Sequence, residues 1–172
     1  LIDWLTIATD RRMGALLEAF RRGWSIERVH ELTRMTRWFL HRFKRLADME
    51  AEISAQGVAP DQLNADDLRR WKAHGFTDAH IADALAGFPA AGPTSLPAGR
   101  DEAAVMARRH ALKVHPVYRM VDSCAAEFAA ATPYYYSTYE PLGDNGIDLL
   151  PDLEARTKER VVAIGSGPIR IG

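Results

Sequence analysis

DRRMGALLEAFRRGWSIERVHELTRMTRWFLHRFKRL, residues 10–46, decides the fold. Apolar side chains recur at helical spacing in three consecutive blocks, each opened by a capping residue or closed by a stop. Asp10 is placed to cap a first helix with Met13, Leu16, Leu17 and Phe20 on one face. Gly23 ends it, because glycine tolerates the left-handed conformation that follows a helix. Ser25 caps a second helix with Ile26, Val29 and Leu32 inward. Thr36 caps a longer third, with Phe39, Phe43, Leu46, Glu50 and Ile53 in register, and Gly57 stops it. Glu50 breaks that stripe, so Met49 is expected to turn inward near the helix end. Short helices joined by tight corners predict antiparallel hairpins.

The same physics continues downstream. Asn64 and Asp67 resemble a capping box and open a helix with Leu68 and Trp71 on its apolar face. Gly75 stops it, and Thr77 caps another with Ile81, Ala82 and Leu85. Gly23-Trp24-Ser25 and Gly75-Phe76-Thr77 are one corner device used twice: a stop glycine, a buried aromatic and a new cap. Residues 87–99 are rich in proline and glycine and read as an exposed loop. Residues 101–112 are helical again, with Val105, Met106 and Leu112 apolar, and Pro116 marks the exit. Val117 to Val121 is β-prone. Residues 141–160, with Pro141, Gly143, Gly146 and Pro151, read as a linker, and Val161 to Ile164 as a short strand running into glycines. The expected fold is therefore mainly α, short helix hairpins followed by an extended linker and one truncated strand.

Composition narrows the function. The 172 residues suffice for one domain with a core. Hydrophobic residues at 47% and charged residues at 26% are ordinary for a globular chain. A net charge of −1 provides no global field for nucleic acid or anionic lipid, and no membrane partner is expected. One cysteine excludes an internal disulfide framework and fits a reducing compartment. No apolar run approaches the ~20 residues of a membrane span.

Four stretches carry a family resemblance. Residues 10–46 resemble the first helices of the oligomerisation domain of the carbamoyl phosphate synthetase large subunit. LRRWKAHGFTDAHIADAL (68–85) is similar to a later hairpin of that domain. VYRMVDSCAAEFAAATPYYYSTYE (117–140) resembles the segment leading into the second synthetase half, and GSGPIRIG (165–172) resembles the first glycine loop of that half. Lys113 departs from the family, standing where a helix-ending glycine is common, and Ser123 replaces a more usual threonine. The resemblance implies an oligomerisation and connection domain over 1–140, a linker over 141–160, and the truncated start of the second half over 161–172. It implies a parent enzyme that makes carbamoyl phosphate from bicarbonate, glutamine-derived ammonia and ATP, with Mg or Mn, for arginine and pyrimidine biosynthesis in the cytoplasm. Its partners would be other large-subunit copies and a glutamine amidotransferase small subunit. The chain itself would be a scaffold, a piece from the middle of that enzyme, with no catalytic residues of its own.

The residues that suggest chemistry have bland readings beside them. Gly165, Ser166, Gly167, Arg170 and Gly172 form a glycine loop after a strand, where backbone amides can approach phosphate, and the resemblance places it at the edge of the parent's ATP site. Its spacing fits neither the dinucleotide fingerprint nor a P-loop, and the isolated chain is not expected to bind ATP. Cys124 lacks a nearby histidine or second cysteine and reads as a small buried residue. Asp122 and Glu127 read as braces of a turn before another helix. Tyr134, Tyr135, Tyr136 and Tyr139, with no basic residues interleaved, read as packing between adjoining domains. His30, His41, His74, His80, His110 and His115 show no metal-ligand spacing. Residues 34–45 carry Arg34, Arg37, Arg42, Lys44 and Arg45 without an acid, after a short helix and turn, so a helix-turn-helix DNA reader is the rival class. Asp48, Glu50 and Glu52 offset that charge and favour a solvated or protein-docking face. An association surface is expected on the first hairpins, involving Trp24, Trp38 or Phe39.

Overall fold

The computed structural model describes residues 1–87, 101–125, 127–128 and 134–140. Contacts divide the chain into two compact units, Leu1–Pro116 and Val117–Gly172. The first contains seven helices among the described residues: α1 Ile2–Thr6, α2 Arg12–Arg21, α3 Ile26–Thr33, α4 Arg37–Ala55, α5 Ala65–Ala73, α6 Asp78–Leu85 and α7 Glu102–Ala111. A 3-10 turn, Pro60–Gln62, precedes α5. The mainly α expectation holds, and the exposed loop expected over 88–99 lies outside the described residues.

The corners form by local chemistry. The Gly23 amide donates to the Phe20 carbonyl and the Trp24 amide to Ala19, at 2.9 and 3.0 Å. The Gly75 and Phe76 amides repeat this with Lys72 and Trp71, at 3.0 and 3.2 Å. Both glycines take positive φ, +76° and +90°, as this helix-ending pair of bonds requires. The Ser25, Asn64 and Thr77 side chains then accept from the amides of Arg28, Asp67 and His80, capping α3, α5 and α6. The Asn64 side-chain amide also donates to the Asp67 carboxylate at 2.8 Å, a variant of the capping-box-like start in which the return bond joins the two side chains.

Two expected caps differ. Arg11 occupies the cap position of α2 in place of Asp10, and Thr36 stands at the cap position of α4 without a side-chain bond. α4 also presents a different stripe. Leu40, Ala47, Met49, Glu50 and Ile53 are buried, Phe43 and Leu46 half-buried, and Phe39 exposed. Met13, expected on the apolar face of α2, is exposed, as is Met106 of α7. Trp24 at the first corner is half-buried, whereas its counterpart Phe76 is buried.

α4 is the shared element. It packs on α2 and α3 along one part of its surface and on α6 along another, while α6 packs on α7. The core on the first side comprises Leu5, Leu16, Phe20, Val29 and Leu40 among others. Leu63, Leu68, Trp71, Phe76, Ile81, Val105 and Val114 are buried in the later helices. A fully buried leucine or isoleucine contributes roughly 1.5–3 kcal/mol relative to exposure, so these side chains carry the apolar stabilisation.

α7 ends like the earlier corners, with the Lys113 amide on His110 and the Val114 amide on Arg109, both at 3.0 Å. Here the residue at positive φ, +54°, is Lys113. A side chain costs about 1 kcal/mol in that conformation and glycine costs none. Lys113→Gly is therefore expected to stabilise the domain by about 0.5–1 kcal/mol, read as a raised urea midpoint; a lowered midpoint would contradict this account of the corner.

The second unit contains a small antiparallel pair, β1 Val117–Met120 and β2 Tyr135–Thr138, in register Val117↔Thr138 to Met120↔Tyr135. The extended reading of Val117–Val121 holds for β1. Its pairing with the tyrosine segment was not legible in the sequence. The strand expected over 161–164 lies outside the described residues.

Candidate assembly interface

Two buried ionic joints fix the helices that present the surface. Glu50, in mid-α4, is 2% exposed. Arg21, at the end of α2, donates to both its carboxylate oxygens at 2.6 and 2.8 Å. His80 of α6 meets it through Nε2 at 2.8 Å. Burial alone would raise the Glu50 carboxyl, but the bonds to His80 and Arg21 outweigh it and hold it below its ordinary value. An ionised Glu50 only accepts, so His80 carries its proton on Nε2. Three helices thus meet on one carboxylate.

The second joint centres on Asp78, the first residue of α6. Arg109 of α7 donates to its carboxylate through Nε and Nη2 at 2.9–3.1 Å, and Lys72 of α5 pairs with it at 3.0 Å. Arg109 also donates to the Val114 carbonyl at 3.1 Å, which ties the end of α7 to the same acid. Burial raises the Asp78 carboxyl, and the Arg109 and Lys72 bonds bring it below its ordinary value.

On this frame the aromatics separate. Trp24 packs against the first core and its ring lies under the Arg28 guanidinium at 3.7 Å. Trp38 and Phe39, on the first turn of α4, are 57% and 53% exposed. Of the three expected interface aromatics, only these two stand free of the core. Arg34, Arg37, Arg42 and Arg45 are also exposed, whereas Lys44 is held by Asp48 at 2.6 Å. The basic run is therefore an exposed stretch with Arg42 against the Trp38 ring, and no observation favours a DNA reader.

In the second unit Tyr134, Tyr135 and Tyr136 are exposed and Tyr139 is half-buried. Cys124, read as buried, is half-buried. The Asp122 carboxylate accepts from the Cys124 amide at 2.9 Å, so it braces a turn as expected. The helix expected next does not begin among the described residues up to 128; bends occupy them.

Four other histidines make short-range contacts. His30 Nδ1 meets the Met35 carbonyl at 2.7 Å and His74 Nδ1 the Arg70 carbonyl at 2.8 Å, while His110 and His115 meet edge to face. Among the described residues no group of three or more His, Cys, Asp or Glu is placed to hold a metal, and no helix is long and apolar enough to cross a membrane. The glycine loop, Gly165, Ser166, Gly167, Arg170 and Gly172, lies outside the described residues. What the sequence missed is the Glu50 and Asp78 joints; the one available signal was an acid lying in register on the apolar stripe of α4.

The helical unit has counterparts among known proteins. Residues 1–113 match the family described as the carbamoyl-phosphate synthetase large chain, oligomerisation domain. The arginine-specific large chain of carbamoyl phosphate synthase from Halalkalibacterium halodurans is 44% identical over 98% of this chain and 14% of its own length. The carbamoyl phosphate synthase large chains of Methanothrix thermoacetophila and Thermotoga neapolitana are 39% and 37% identical, each over 99% of this chain and 13% of their own. The chain thus spans about one seventh of the curated relatives it matches. With its helical unit matched over residues 1–113 and nearly its whole length aligned, the chain belongs to the carbamoyl phosphate synthetase large-chain family and carries that family's oligomerisation domain.

Proposed function

We propose that this chain is the assembly and connection segment of a carbamoyl phosphate synthetase large chain: it associates with other copies and joins two synthetase halves. The match of residues 1–113 to an oligomerisation domain carries the reading. The parent would make carbamoyl phosphate from bicarbonate, ammonia released from glutamine by a small amidotransferase subunit, and ATP with Mg or Mn, in the cytoplasm. The arginine-specific name of one relative supports a place in arginine synthesis, with pyrimidine synthesis drawing on the same product.

Residues 1–140 would form the connection domain, 141–160 the linker, and 161–172 the start of the second half, where Gly165, Ser166, Gly167, Arg170 and Gly172 would serve the parent's ATP site. The segment would supply geometry and no catalytic group. The joints support this role. Glu50 and Asp78 each bind three helices, which gives a stiff body suited to holding other domains at fixed separation. The test is the mass of the isolated chain in solution across a concentration range, with a concentration-dependent dimer or larger assembly as the expected result.

A further inference from the structure

Trp38 and Phe39 meet edge to face with centroids 4.9 Å apart, and the Arg42 guanidinium lies 4.9 Å from the Trp38 ring centroid. The three side chains order one another, so a partner would immobilise little that is not already fixed. Ion pairing is uneven along this unit: Arg11, Arg12, Arg28, Arg108 and Lys113 form no ion pair among the described residues. Arg21, Arg22, Lys44, Arg69, Arg70, Lys72 and Arg109 all pair with carboxylates. Arg34, Arg37, Arg42 and Arg45 form no ion pair among the described residues, although all four are exposed on this one stretch.

Two exposed rings with the Arg42 guanidinium against one of them, on a stretch of exposed arginines, have the composition of an interface centre, where tryptophan and arginine are enriched. The charge restricts the occupant. A second copy using the same face about a two-fold axis would bring Arg42 and the basic stretch 34–45 toward their own counterparts, a like-charge contact that disfavours pairing. The complementary surface is acidic. The relatives are about seven times longer than this chain, so most of a parent large chain lies outside it and is tethered to it at high effective concentration.

We propose that the Trp38–Phe39 face docks an acidic surface in the remainder of the parent large chain and is not the surface through which copies associate. This rests on the reading of the chain as a segment of a synthetase large chain. That reading is tested separately, by whether the parent makes carbamoyl phosphate, which the experiment below does not measure.

The experiment is hydroxyl-radical footprinting, read by mass spectrometry, on the parent large chain held at concentrations where light scattering shows a monomer, beside the isolated chain. Trp71, fully buried, is the internal reference. Trp38 oxidation is expected to fall about fivefold or more in the monomeric large chain, as burial in an interface centre requires. The double variant Arg37→Glu/Arg42→Glu is expected to restore the isolated chain's reactivity with its helical circular dichroism unchanged. Trp38→Glu is expected to leave self-association of the isolated chain intact. Equal Trp38 reactivity in both proteins overturns the proposal. Protection that appears only as copies associate assigns the face to a second copy and also overturns it. Protection that survives the charge reversal removes the acidic partner. Binding of a fluorescein-labelled single-stranded oligonucleotide by the isolated chain, lost in Trp38→Ala, reassigns the face to nucleic acid and likewise overturns it.

Discussion

Arg109→Met is expected to destabilise the helical unit by about 3–5 kcal/mol, the cost of leaving a buried charge without its partner. Asp78 and Arg109 are among the least exposed charged side chains in the structure, at 9% and 10%. Methionine fills much of the arginine stem's volume, so the loss is not chiefly a cavity. It consists of the bidentate contact to Asp78 and the bond to the Val114 carbonyl. Lys72 remains on Asp78, which sets the loss below that of a wholly abandoned carboxylate. Typical domains have about 5–15 kcal/mol in total, so a large share of the stability is at stake. Urea unfolding followed by circular dichroism reads it. A shift under about 1 kcal/mol with an unchanged slope would mean that water screens the pair despite its burial.

Arg21→Met is expected to cost less, about 2–3 kcal/mol, because 31% of the Arg21 side chain remains exposed and water screens its share. The distinctive signature is in the pH dependence. The folded-state carboxyls of Glu50 and Asp78 are held below their ordinary values of 4.5 and 3.8. A depressed carboxyl contributes stability that is fully present above the unfolded value and is lost as pH falls through the folded one, because the unfolded chain binds protons first. Wild-type stability is therefore expected to decline from roughly pH 5 downward. Glu50→Gln is expected to be weaker than wild type at neutral pH and to show a shallower decline, having lost one of the three depressed carboxyls, Glu50, Glu52 and Asp78. Parallel pH profiles for the two proteins would show that Glu50 gains nothing from Arg21 and His80.

The corners were legible because their chemistry is local. Gly23, Ser25, Asn64, Gly75 and Thr77 each act on amides or carbonyls within five residues, a distance that a single sequence displays. Lys113 stood out in the sequence as a departure, and the structure gives its meaning as a strained corner. The inward faces were less legible. Periodicity alone fits a stripe through Phe39 as well as one through Leu40, and only the positions of α2, α3 and α6 select the second. The ionic joints were the least legible. Glu50 meets partners 29 and 30 positions away, and Asp78 meets Arg109 31 positions on. Nothing local announces such pairs except an acid that sits where a leucine would fit. The β1–β2 pairing failed for the same reason, since its partner strand lies beyond a turn whose sequence reads as helix.

The candidate surface was half legible. Trp38, Phe39 and the arginines drew attention by type, but exposure separates them from Trp24, which the core holds. That separation makes a docking role for the Trp38–Phe39 face testable without confusing a lost interface with a lost fold.

The most direct test is light scattering coupled to size exclusion on the isolated chain over a wide concentration range. A mass that rises with concentration toward a dimer or larger assembly is expected. A strict monomer at every concentration would contradict self-association by this domain and leave it as an intramolecular spacer.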